Sequence, residues 1–416
     1  MNASRPLQHA APAPALGSVA EGYEPVAATF ARQLERGEHV GAGFVVYRGG
    51  TRVIDLWGGH ADRRAARPWA RDSRIVVFSV TKGFVAMALH LLADRNQLEW
   101  DRRVADYWPA FGRHGKQGIT VRDLVNHRAG LAAIDPPFTL ADCLDETRRP
   151  HLLQLLEEQS PQWPPGLDQG YHAITFGLYV SELFSRVAGE PLGGFLRREL
   201  FEPLGSDVHL GTPASEDDKQ ATLYAPSVPA RLTRLVGKSL FQRDTPEALI
   251  TRSLIDRDSA SRRAFANPRV NARGVLVYND VEVRRAALAW ASATASADGI
   301  ARAYLPFAQG GEHDGQRYFS AGSLEPLFRR QSWAAEDRVL HKPLGWSQGF
   351  LKEERHVFCP HPESFGHAGM GGSLGWCDPI SQVSLGYVTN KMDWRVRSKR
   401  ALQLCRSLYE CEPMFD

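Results

Sequence analysis

The chain has 416 residues, 43% of them hydrophobic and including ten Trp, eleven Tyr and nineteen Phe, which excludes an intrinsically disordered chain. Its 50 Lys and Arg residues nearly balance its 47 Asp and Glu residues, which excludes a strong net field that would attract nucleic acid or an anionic membrane. The five cysteines lack a disulfide-framework spacing, which favours free thiols in a reducing compartment. With no recognisable signal peptide and no membrane span, the protein is predicted to be cytoplasmic and to have no nucleic-acid partner.

The first part of the chain is predicted to contain a tail, one helix and two strands. Residues 1–20 begin with a stretch rich in Ala and Pro and are predicted to form a flexible tail. A helix is expected at about 25–36, and β-rich runs follow at 40–47 and 51–57. The sequence Arg48-Gly49-Gly50 between these runs predicts a hairpin.

The middle of the chain has mainly helical patterns. Apolar side chains at helical spacing predict a buried helix that begins near Ser79; they are Phe84, Val85, Ala88, Leu89 and Leu92. Further helices are predicted at 120–126, 173–187 and 191–200. Residues 211–273 are polar, charged and poorly periodic, and we interpret them as a long excursion or lid outside the core.

The end of the chain returns to β-rich patterns from residue 344 onwards. Strand-forming runs are predicted at 345–352, 364–376 and 382–388. A final amphipathic helix is predicted from its apolar positions, which are Trp394, Leu402, Cys405 and Leu408.

Strands at both ends with helices between them predict an α+β fold. One antiparallel sheet would be built from the two termini and flanked by the terminal helices, with a helical subdomain inserted in the middle. The predicted sheet subdomain comprises residues 21–100 and 340–416. The predicted helical subdomain comprises residues 101–339 and contains the 211–273 excursion.

The segment Phe78-Ser79-Val80-Thr81-Lys82-Gly83 carries the clearest chemical pattern. Ser79 and Lys82 stand at i and i+3, so their side chains face the same way if a helix begins here. The helix dipole would favour a developing alkoxide on Ser79, and the Ser79 N–H would be free to bind an oxyanion. Among neutral or cationic neighbours, Lys82 can lose its proton and act as the base, as in the Ser-x-x-Lys motif of penicillin-recognising enzymes. About one such match is expected by chance in a chain of this length.

Other catalytic patterns have less support. The run Gly371-Gly372-Ser373-Leu374-Gly375 fits the G-x-S-x-G elbow of α/β-hydrolases, but that fold needs a histidine after the serine, and His367 is the last histidine. We therefore interpret Ser373 as structural or pocket-lining. The fourteen histidines include no HxH or HExxH, and no Cys/His pair has ligand spacing, so no metal is predicted. Phosphate-binding glycine motifs are also lacking, and no cofactor is predicted.

Several segments occur in the order typical of one family. After the two-stranded opening and the Ser79 motif come Leu124-Val125-Asn126-His127-Arg128-Ala129-Gly130-Leu131, Trp163-Pro164-Pro165-Gly166, Tyr171-His172-Ala173, Phe176-Gly177, Glu202-Pro203-Leu204-Gly205, Gly366-His367-Ala368-Gly369 and Asp378-Pro379. Together they resemble the class C β-lactamase-like serine hydrolases, and most closely the family VIII carboxylesterases. The resemblance spans nearly the whole chain except the tail and residues 211–273. It implies a β-lactamase/transpeptidase-like fold with Ser79 as the nucleophile.

The resemblance implies a catalytic role for Tyr171. This residue matches the family's tyrosine, a phenol that relays protons between serine and lysine and protonates the leaving group. Such a role needs a lowered phenol pKa, which a charged Lys82 would supply. Without the resemblance, Tyr171 would be interpreted as an aromatic core residue at a helix start.

Two departures from the lactamase pattern concern the substrate. Ala173 stands where the lactamases have an asparagine that binds the amide side chain of the substrate. His367-Ala368-Gly369 stands where they have Lys-Thr-Gly, and a neutral histidine binds an anionic substrate less well than lysine does. The backbone N–H of Met370 would complete the oxyanion hole with that of Ser79. The alternative for His367 is a hydrogen-bonded strand residue without a catalytic part.

The sequence therefore predicts a serine hydrolase that cleaves small-molecule carboxylic esters through an acyl-enzyme on Ser79. The alternatives are an acyltransferase with the same nucleophile, a weak β-lactamase, and a catalytically inactive binding protein on this fold. The joint presence of Ser79, Lys82 and Tyr171 counts against the inactive protein. Trp346 and Phe350 are interpreted as exposed aromatic residues that either line an apolar pocket or belong to the core.

Overall fold

The structure is a computed structural model that describes residues 14–226, 245–352 and 358–411. Its strands, in chain order, are β1 (Ala15–Val19), β2 (Gly41–Arg48), β3 (Thr51–Asp62), β4 (Arg67–Pro68), β5 (Ile75–Val76), β6 (Val208–His209), β7 (Thr294–Ala295), β8 (Glu312–His313), β9 (Gln316–Arg317), β10 (Ser332–Ala334), β11 (Leu344–Ser347), β12 (Phe350–Lys352), β13 (Phe365–Ala368), β14 (Leu374–Asp378) and β15 (Val383–Thr389).

The helices alternate with these strands and lie mostly in the middle of the sequence. The first eight are α1 (Glu24–Glu35), α2 (Val80–Asp94), α3 (Val104–Tyr107), α4 (Val121–Val125), α5 (Leu140–Leu144), α6 (Arg149–Glu158), α7 (Thr175–Ala188) and α8 (Leu192–Leu196). Later helices span Pro246–Ser253, Ala260–Ala264, Val281–Arg285, Ala297–Ala303, Leu305–Ala308, Ala321–Leu324 and Lys399–Cys411.

A ten-stranded antiparallel sheet forms the centre of the fold. Its strand order is β1-β3-β2-β15-β14-β13-β12-β11-β10, with β4 paired to β3. The central pair joins the two ends of the chain, because β2 and β15 pair in register from Arg48 and Val383 to Ala42 and Thr389. The predicted sheet built from both termini is therefore confirmed. A second, small sheet has the order β5-β7-β6 and lies next to the start of α2.

Both faces of the large sheet are covered. On one face, Phe30 of α1 and Leu404 of the C-terminal helix pack against Phe44 of β2 in one hydrophobic cluster. On the other face, α2 and the helix Ala297–Ala303 contribute to a larger cluster that extends into the helical part of the chain. Burying an aliphatic or aromatic side chain of this kind contributes about 1.5–3 kcal/mol relative to leaving it exposed. The sheet is thus the middle of three layers, and it holds the first turn of α2 in place.

The structure corrects some predicted boundaries. Residues 15–19, assigned to a flexible tail, form β1 and pair along their whole length with β3. The sequence Ala-Leu-Gly-Ser-Val has weak strand character, but backbone hydrogen bonds to a longer strand do not depend on side-chain type. The helix Ala297–Ala303 and strand β10 lie inside the predicted helical subdomain, yet they pack on or pair within the large sheet.

The predicted excursion at 211–273 is only partly described, and its described part does not lie wholly outside the core, because Ala221 and Leu223 are buried in the larger hydrophobic cluster. Its described parts include a 3-10 helix at Ala214–Lys219 and the helices Pro246–Ser253 and Ala260–Ala264, while residues 227–244 lie outside the described residues. Within the described ranges, no helix combines the length and the apolar character needed to cross a membrane.

Candidate active site

Ser79 occupies a tight turn immediately before α2. Before Ser79 in the chain, the backbone of Val77 is held by a hydrogen bond from its N–H to the carbonyl of Ala293 at 2.9 Å. This bond lies next to the pairing of β5 with β7. Phe78 adopts a φ of +48°, which is uncommon for a residue with a bulky side chain. This conformation changes the direction of the backbone just before Ser79. Ser79 stands at the N-cap of α2, but its hydroxyl makes no capping hydrogen bond. The hydroxyl of Ser79 is therefore available at the positive end of the helix.

Lys82 lies one turn later on α2 and is completely buried. Its Nζ is 3.2 Å from Ser79 Oγ and donates to the carbonyl oxygen of Trp290 at 2.9 Å. Burial lowers the pKa of Lys82 to about 7, because the ammonium loses its water. A large fraction of Lys82 is thus an uncharged amine near neutral pH, beside the hydroxyl that it would deprotonate.

Tyr171 lies against Lys82, as expected for a shared site. The Nζ of Lys82 is 5.2 Å from the centre of the Tyr171 ring, and this ring stacks on Trp346 with centroids 5.6 Å apart. The expectation of a lowered phenol pKa is wrong. Burial raises the pKa of Tyr171, hydrogen bonding with Ser79 lowers it only in part, and the nearby Asp337 carboxylate raises it. Burial dominates, so the phenol of Tyr171 is protonated at neutral pH.

A buried carboxylate holds the backbone of Tyr171. Asp337 Oδ1 accepts the N–H of Tyr171 at 3.0 Å and the N–H groups of Val339 and Leu340, each at 2.9 Å. Its other oxygen accepts the side-chain amide of Gln169 at 3.4 Å. Asp337 was not predicted as a site residue, because nothing local in its sequence shows that it meets a segment about 166 residues earlier in the chain.

Two buried histidines support the same loop. The N–H of His172 donates to His127 Nδ1 at 3.1 Å, while His172 Nδ1 donates to the Gly170 carbonyl at 2.7 Å. The N–H of Leu131 donates to His172 Nε2 at 3.0 Å. Burial lowers the pKa of both histidines, so both are neutral at pH 7. These rings shape the wall behind Tyr171 rather than supply charge.

His367 lies on β13 and is also part of this wall. Its ring centre is 6.3 Å from that of Tyr171, and its Nδ1 donates to the carbonyl of Ala368 at 3.0 Å. Among the described atoms, His367 Nε2 is buried without a hydrogen-bond partner. Burial, and then the neighbouring Lys82, lowers the pKa of His367 to about 3. The third motif therefore brings no positive charge to the site at neutral pH.

The turn after β13 lies against the Ser79 turn. A side chain on Gly369 would place its Cβ 2.3 Å from the carbonyl oxygen of Val77, so only glycine fits there. The N–H of Gly369 donates to the Ser373 carbonyl at 2.7 Å. Within the described ranges, the N–H groups of Ser79 and Met370 are donors in none of the hydrogen bonds, and the Met370 side chain is half exposed.

The remaining predicted residues are structural in their contacts. Ala173 is buried next to Tyr171, and its N–H donates to the Tyr171 carbonyl at 2.9 Å. Ser373 is buried in the turn that Gly369 closes. Trp346 and Phe350, interpreted as exposed, are buried instead, because both belong to sheet strands covered by helices. Trp346 forms the stack under Tyr171, whereas Phe350 is core.

The prediction of no metal site rested on motif spacing. In the described part of the chain, one group of side chains does bring ligand-type atoms together, namely Cys359, His361 and Asp378, whose atoms lie within 4.8 Å of one another. These residues are at the end of β14 opposite the Gly369 turn and are separate from Ser79.

Known proteins are similar to this chain along most of its length. The sequence profile of the β-lactamase family matches residues 26–406. The chain is 35% identical over 356 residues to the esterase/β-lactamase LipL of Mycobacterium tuberculosis, covering 85% of this chain and 77% of that protein. The crystal structure of a family VIII carboxylesterase matches 96% of this chain and 100% of that chain, with 32% identity and a TM-score of 0.83.

A penicillin-binding protein homolog from Caulobacter crescentus is structurally about as similar to this chain as the carboxylesterase is. It matches 96% of this chain and 100% of that chain, with 29% identity and a TM-score of 0.82. The predicted family resemblance and the β-lactamase/transpeptidase-like fold are both confirmed by these matches. The chain belongs to the β-lactamase family and is an enzyme related to carboxylesterases and β-lactamases.

Proposed function

We propose that this enzyme hydrolyses neutral carboxylic esters through a covalent acyl-enzyme on Ser79. The observation that carries the proposal is the 3.2 Å contact between Lys82 Nζ and Ser79 Oγ, in surroundings that lower the lysine pKa to about 7. A neutral amine at hydrogen-bond distance from a hydroxyl is a competent general base near neutral pH.

In the acylation step, Lys82 takes the Ser79 proton while Ser79 Oγ forms a bond to the ester carbonyl carbon. The carbonyl electron pair moves onto oxygen, and the N–H groups of Ser79 and Met370 would donate to this oxyanion. When the oxyanion collapses, the C–O bond to the alcohol breaks. The leaving oxygen takes a proton from the Tyr171 hydroxyl, which Lys82 replenishes.

Deacylation repeats this chemistry with water. Neutral Lys82 accepts a proton from the attacking water through Tyr171. In the second collapse the bond from the acyl carbon to Ser79 Oγ breaks, the acid leaves, and the Lys82 ammonium returns a proton to Ser79 Oγ. Because burial keeps the pKa of Tyr171 high, the phenol passes a proton in each direction and is never a standing phenolate. Lys82 is therefore the base, and Tyr171 is the relay between Lys82 and the leaving group.

The proposed preference for neutral esters rests on the side chains at two motif positions, His367 and Ala173. His367 has a pKa of about 3 and is neutral, so it offers no cation for a substrate carboxylate. Ala173 offers no side-chain hydrogen bond for an amide. Two relatives support the ester class, since one is named an esterase/β-lactamase and another a family VIII carboxylesterase.

A second candidate activity is slow β-lactam hydrolysis. It is favoured by the double name of the LipL relative and by the penicillin-binding protein homolog. A chromogenic cephalosporin measures it directly. Turnover within tenfold of that on an ester would replace the ester proposal with a lactamase assignment.

The test compares two serines that both fit hydrolase motifs. We expect Ser79→Ala to lower p-nitrophenyl butyrate hydrolysis about 10³-fold or more, because Ser79 carries the one hydroxyl or thiol that Lys82 Nζ contacts in the described part of the chain. The control Ser373→Ala should stay within a few fold, since only its carbonyl closes the neighbouring turn. Wild-type turnover in Ser79→Ala would reject the proposal. Mass spectrometry of a fluorophosphonate adduct should locate the label on Ser79.

A further inference from the structure

We propose that Cys359, His361 and Asp378 form a binding site for a divalent transition-metal ion, and that Zn²⁺ is the ion it fits. The site is independent of the proposed esterase activity. Asp378 ends β14, whereas the turn that meets Ser79 precedes Leu374, the first residue of that strand. At about 3.3 Å per residue, the two ends of β14 are about 13 Å apart.

The three side chains converge from two segments of chain. One ligand-type atom from each lies within 4.8 Å of the other two. Cys359 is 1% exposed and Asp378 is fully buried, while the His361 side chain is 33% exposed. The site is thus a half-open cup, with two buried ligands at its base and the imidazole at its mouth.

The donor set selects the class of ion. Thiolate, imidazole and carboxylate together are ligands typical of Zn²⁺, whereas Ca²⁺ and Mg²⁺ prefer oxygen alone. Bonds of about 2.0–2.3 Å in a tetrahedron place ligand atoms about 3.5 Å apart. The separation of up to 4.8 Å exceeds this spacing by about 1.3 Å, so the ligand atoms must close on the ion, and a water molecule would supply the fourth position.

Hydrogen bonds already orient the ligands, as a supporting shell does in metal sites. The hydroxyl of Tyr409 donates to Asp378 Oδ2 at 3.0 Å. The N–H groups of Ile380 and Ser381 donate to Asp378 Oδ1 at 3.1 and 3.4 Å. The backbone N–H of His361 donates to Cys359 Sγ at 3.3 Å and orients the sulfur. Burial, and then the Asp378 carboxylate, raises the pKa of the Cys359 thiol, so the thiol is protonated until a metal ion displaces its proton.

Without metal, the cup is held by hydrogen bonds. His361 Nδ1 is 2.9 Å from Asp378 Oδ2, and a hydrogen bond joins them. When the ion binds, this bond gives way to two metal–ligand bonds, and the Cys359 thiol releases its proton to solvent as the metal–sulfur bond forms. Because Tyr409 belongs to the C-terminal helix, the bound ion would tie that helix to β14.

The experiment uses the full chain without a histidine tag. Protein stripped with EDTA is equilibrated with Zn²⁺ and separated from free ion, and bound zinc is measured by plasma mass spectrometry. We expect about one ion per chain, and far less than half an ion in Cys359→Ser. The matched control is Cys143→Ser, which removes a cysteine that is outside the cup and should leave the stoichiometry unchanged.

A second probe guards against misfolding of the cysteine variant. Co²⁺ bound to wild type should show the sulfur-to-metal charge-transfer absorption that a thiolate ligand gives, and Cys359→Ser should lose it. His361→Gln should weaken zinc binding at least tenfold while ester hydrolysis stays near wild type, which reports an intact fold. Equal zinc binding by wild type, Cys359→Ser and His361→Gln would overturn the proposal. So would a wild-type chain that retains no zinc.

Discussion

Two buried lysines, Lys82 at the start of α2 and Lys352 at the end of β12, differ in the groups that they contact. Only Lys82 of these two contacts a side-chain hydroxyl. Burial lowers the pKa of both Lys82 and Lys352 to about 7. Lys352 donates to three carbonyl oxygens, at 3.0 Å to Leu327, 3.0 Å to Phe328 and 2.8 Å to Glu363.

Lys82 instead combines one carbonyl with one hydroxyl. A carbonyl oxygen can accept a hydrogen bond but has no proton to give, whereas the Ser79 hydroxyl can give one. A lowered lysine pKa therefore does not identify a catalytic base by itself. A buried lysine that donates only to carbonyl oxygens holds backbone segments together, whereas one that also contacts a hydroxyl can act as a base.

Replacing each lysine by methionine gives the largest test of this contrast. Lys82→Met should lower kcat/KM for p-nitrophenyl butyrate about 10³-fold or more, because the base is removed. Lys352→Met should keep kcat within a few fold but lower the free energy of unfolding by about 3 kcal/mol, since three buried acceptors lose their donor. Steady-state kinetics and thermal melting measure the two effects. Equal losses of kcat in Lys82→Met and Lys352→Met would contradict the assignment of Lys82 as the base and Lys352 as structural.

Replacing the tyrosine relay gives the next largest effect. Tyr171→Phe should lower kcat about 10²-fold, because the leaving group loses its proton donor while the base remains. The matched control is Tyr304→Phe, since the Tyr304 hydroxyl is also buried near α2 and has no hydrogen-bond partner among the described atoms. A similar loss in both variants would indicate a packing effect rather than proton transfer.

The pH dependence tests which group is the base. Lys82 must be uncharged to accept a proton, so kcat/KM should fall about tenfold per pH unit below its pKa of about 7. The same fall of kcat/KM below pH 7 should be seen in Tyr171→Phe, with lower kcat/KM at every pH. Burial raises the pKa of Tyr171 away from this range, so the phenol does not cause the fall. A limb near pH 4, typical of a carboxylate, would contradict the assignment of Lys82.

The smallest predicted effect concerns the anchor of Tyr171. Asp337→Asn should lower kcat about fivefold with little change in KM, because a neutral amide oxygen accepts the Tyr171 N–H more weakly than a carboxylate does, and the amide NH2 would face the side-chain amide of Gln169. The control is Glu336→Gln, whose side chain is 65% exposed. If melting shows Asp337→Asn folded and its kcat is unchanged, the anchor does not position Tyr171.

The sequence was most informative where contacts are local. Ser79 and Lys82 are one helical turn apart, so their spacing alone predicts that they meet, and they lie 3.2 Å apart. The strand pair β2–β3 and the helices α1 and α2 follow from apolar periodicity and turn residues for the same reason. Tyr171 required the family resemblance, because nothing near it in the sequence marks a catalytic phenol.

The parts that were missed depend on distant segments of chain. Asp337, Trp346 and the Trp290 carbonyl reach the site from separate loops and strands, and no periodicity records such contacts. The direction of the Tyr171 pKa was also mispredicted, because it is set by burial that only the folded chain creates. Strand β1 was missed because its pairing with β3 is made by backbone atoms.

The pairing of β2 with β15 also constrains how the protein is made. The residues joined by this pairing, such as Phe44 and Tyr387, are 343 residues apart in the sequence (387 − 44), so β15 is synthesised long after β2. Until β15 has left the ribosome, β2 exposes an edge of unpaired backbone groups that can associate with other chains. The Gly369 turn, which lies against the segment before Ser79, is also synthesised late relative to Ser79. The complete sheet can therefore form only after β15 has been synthesised.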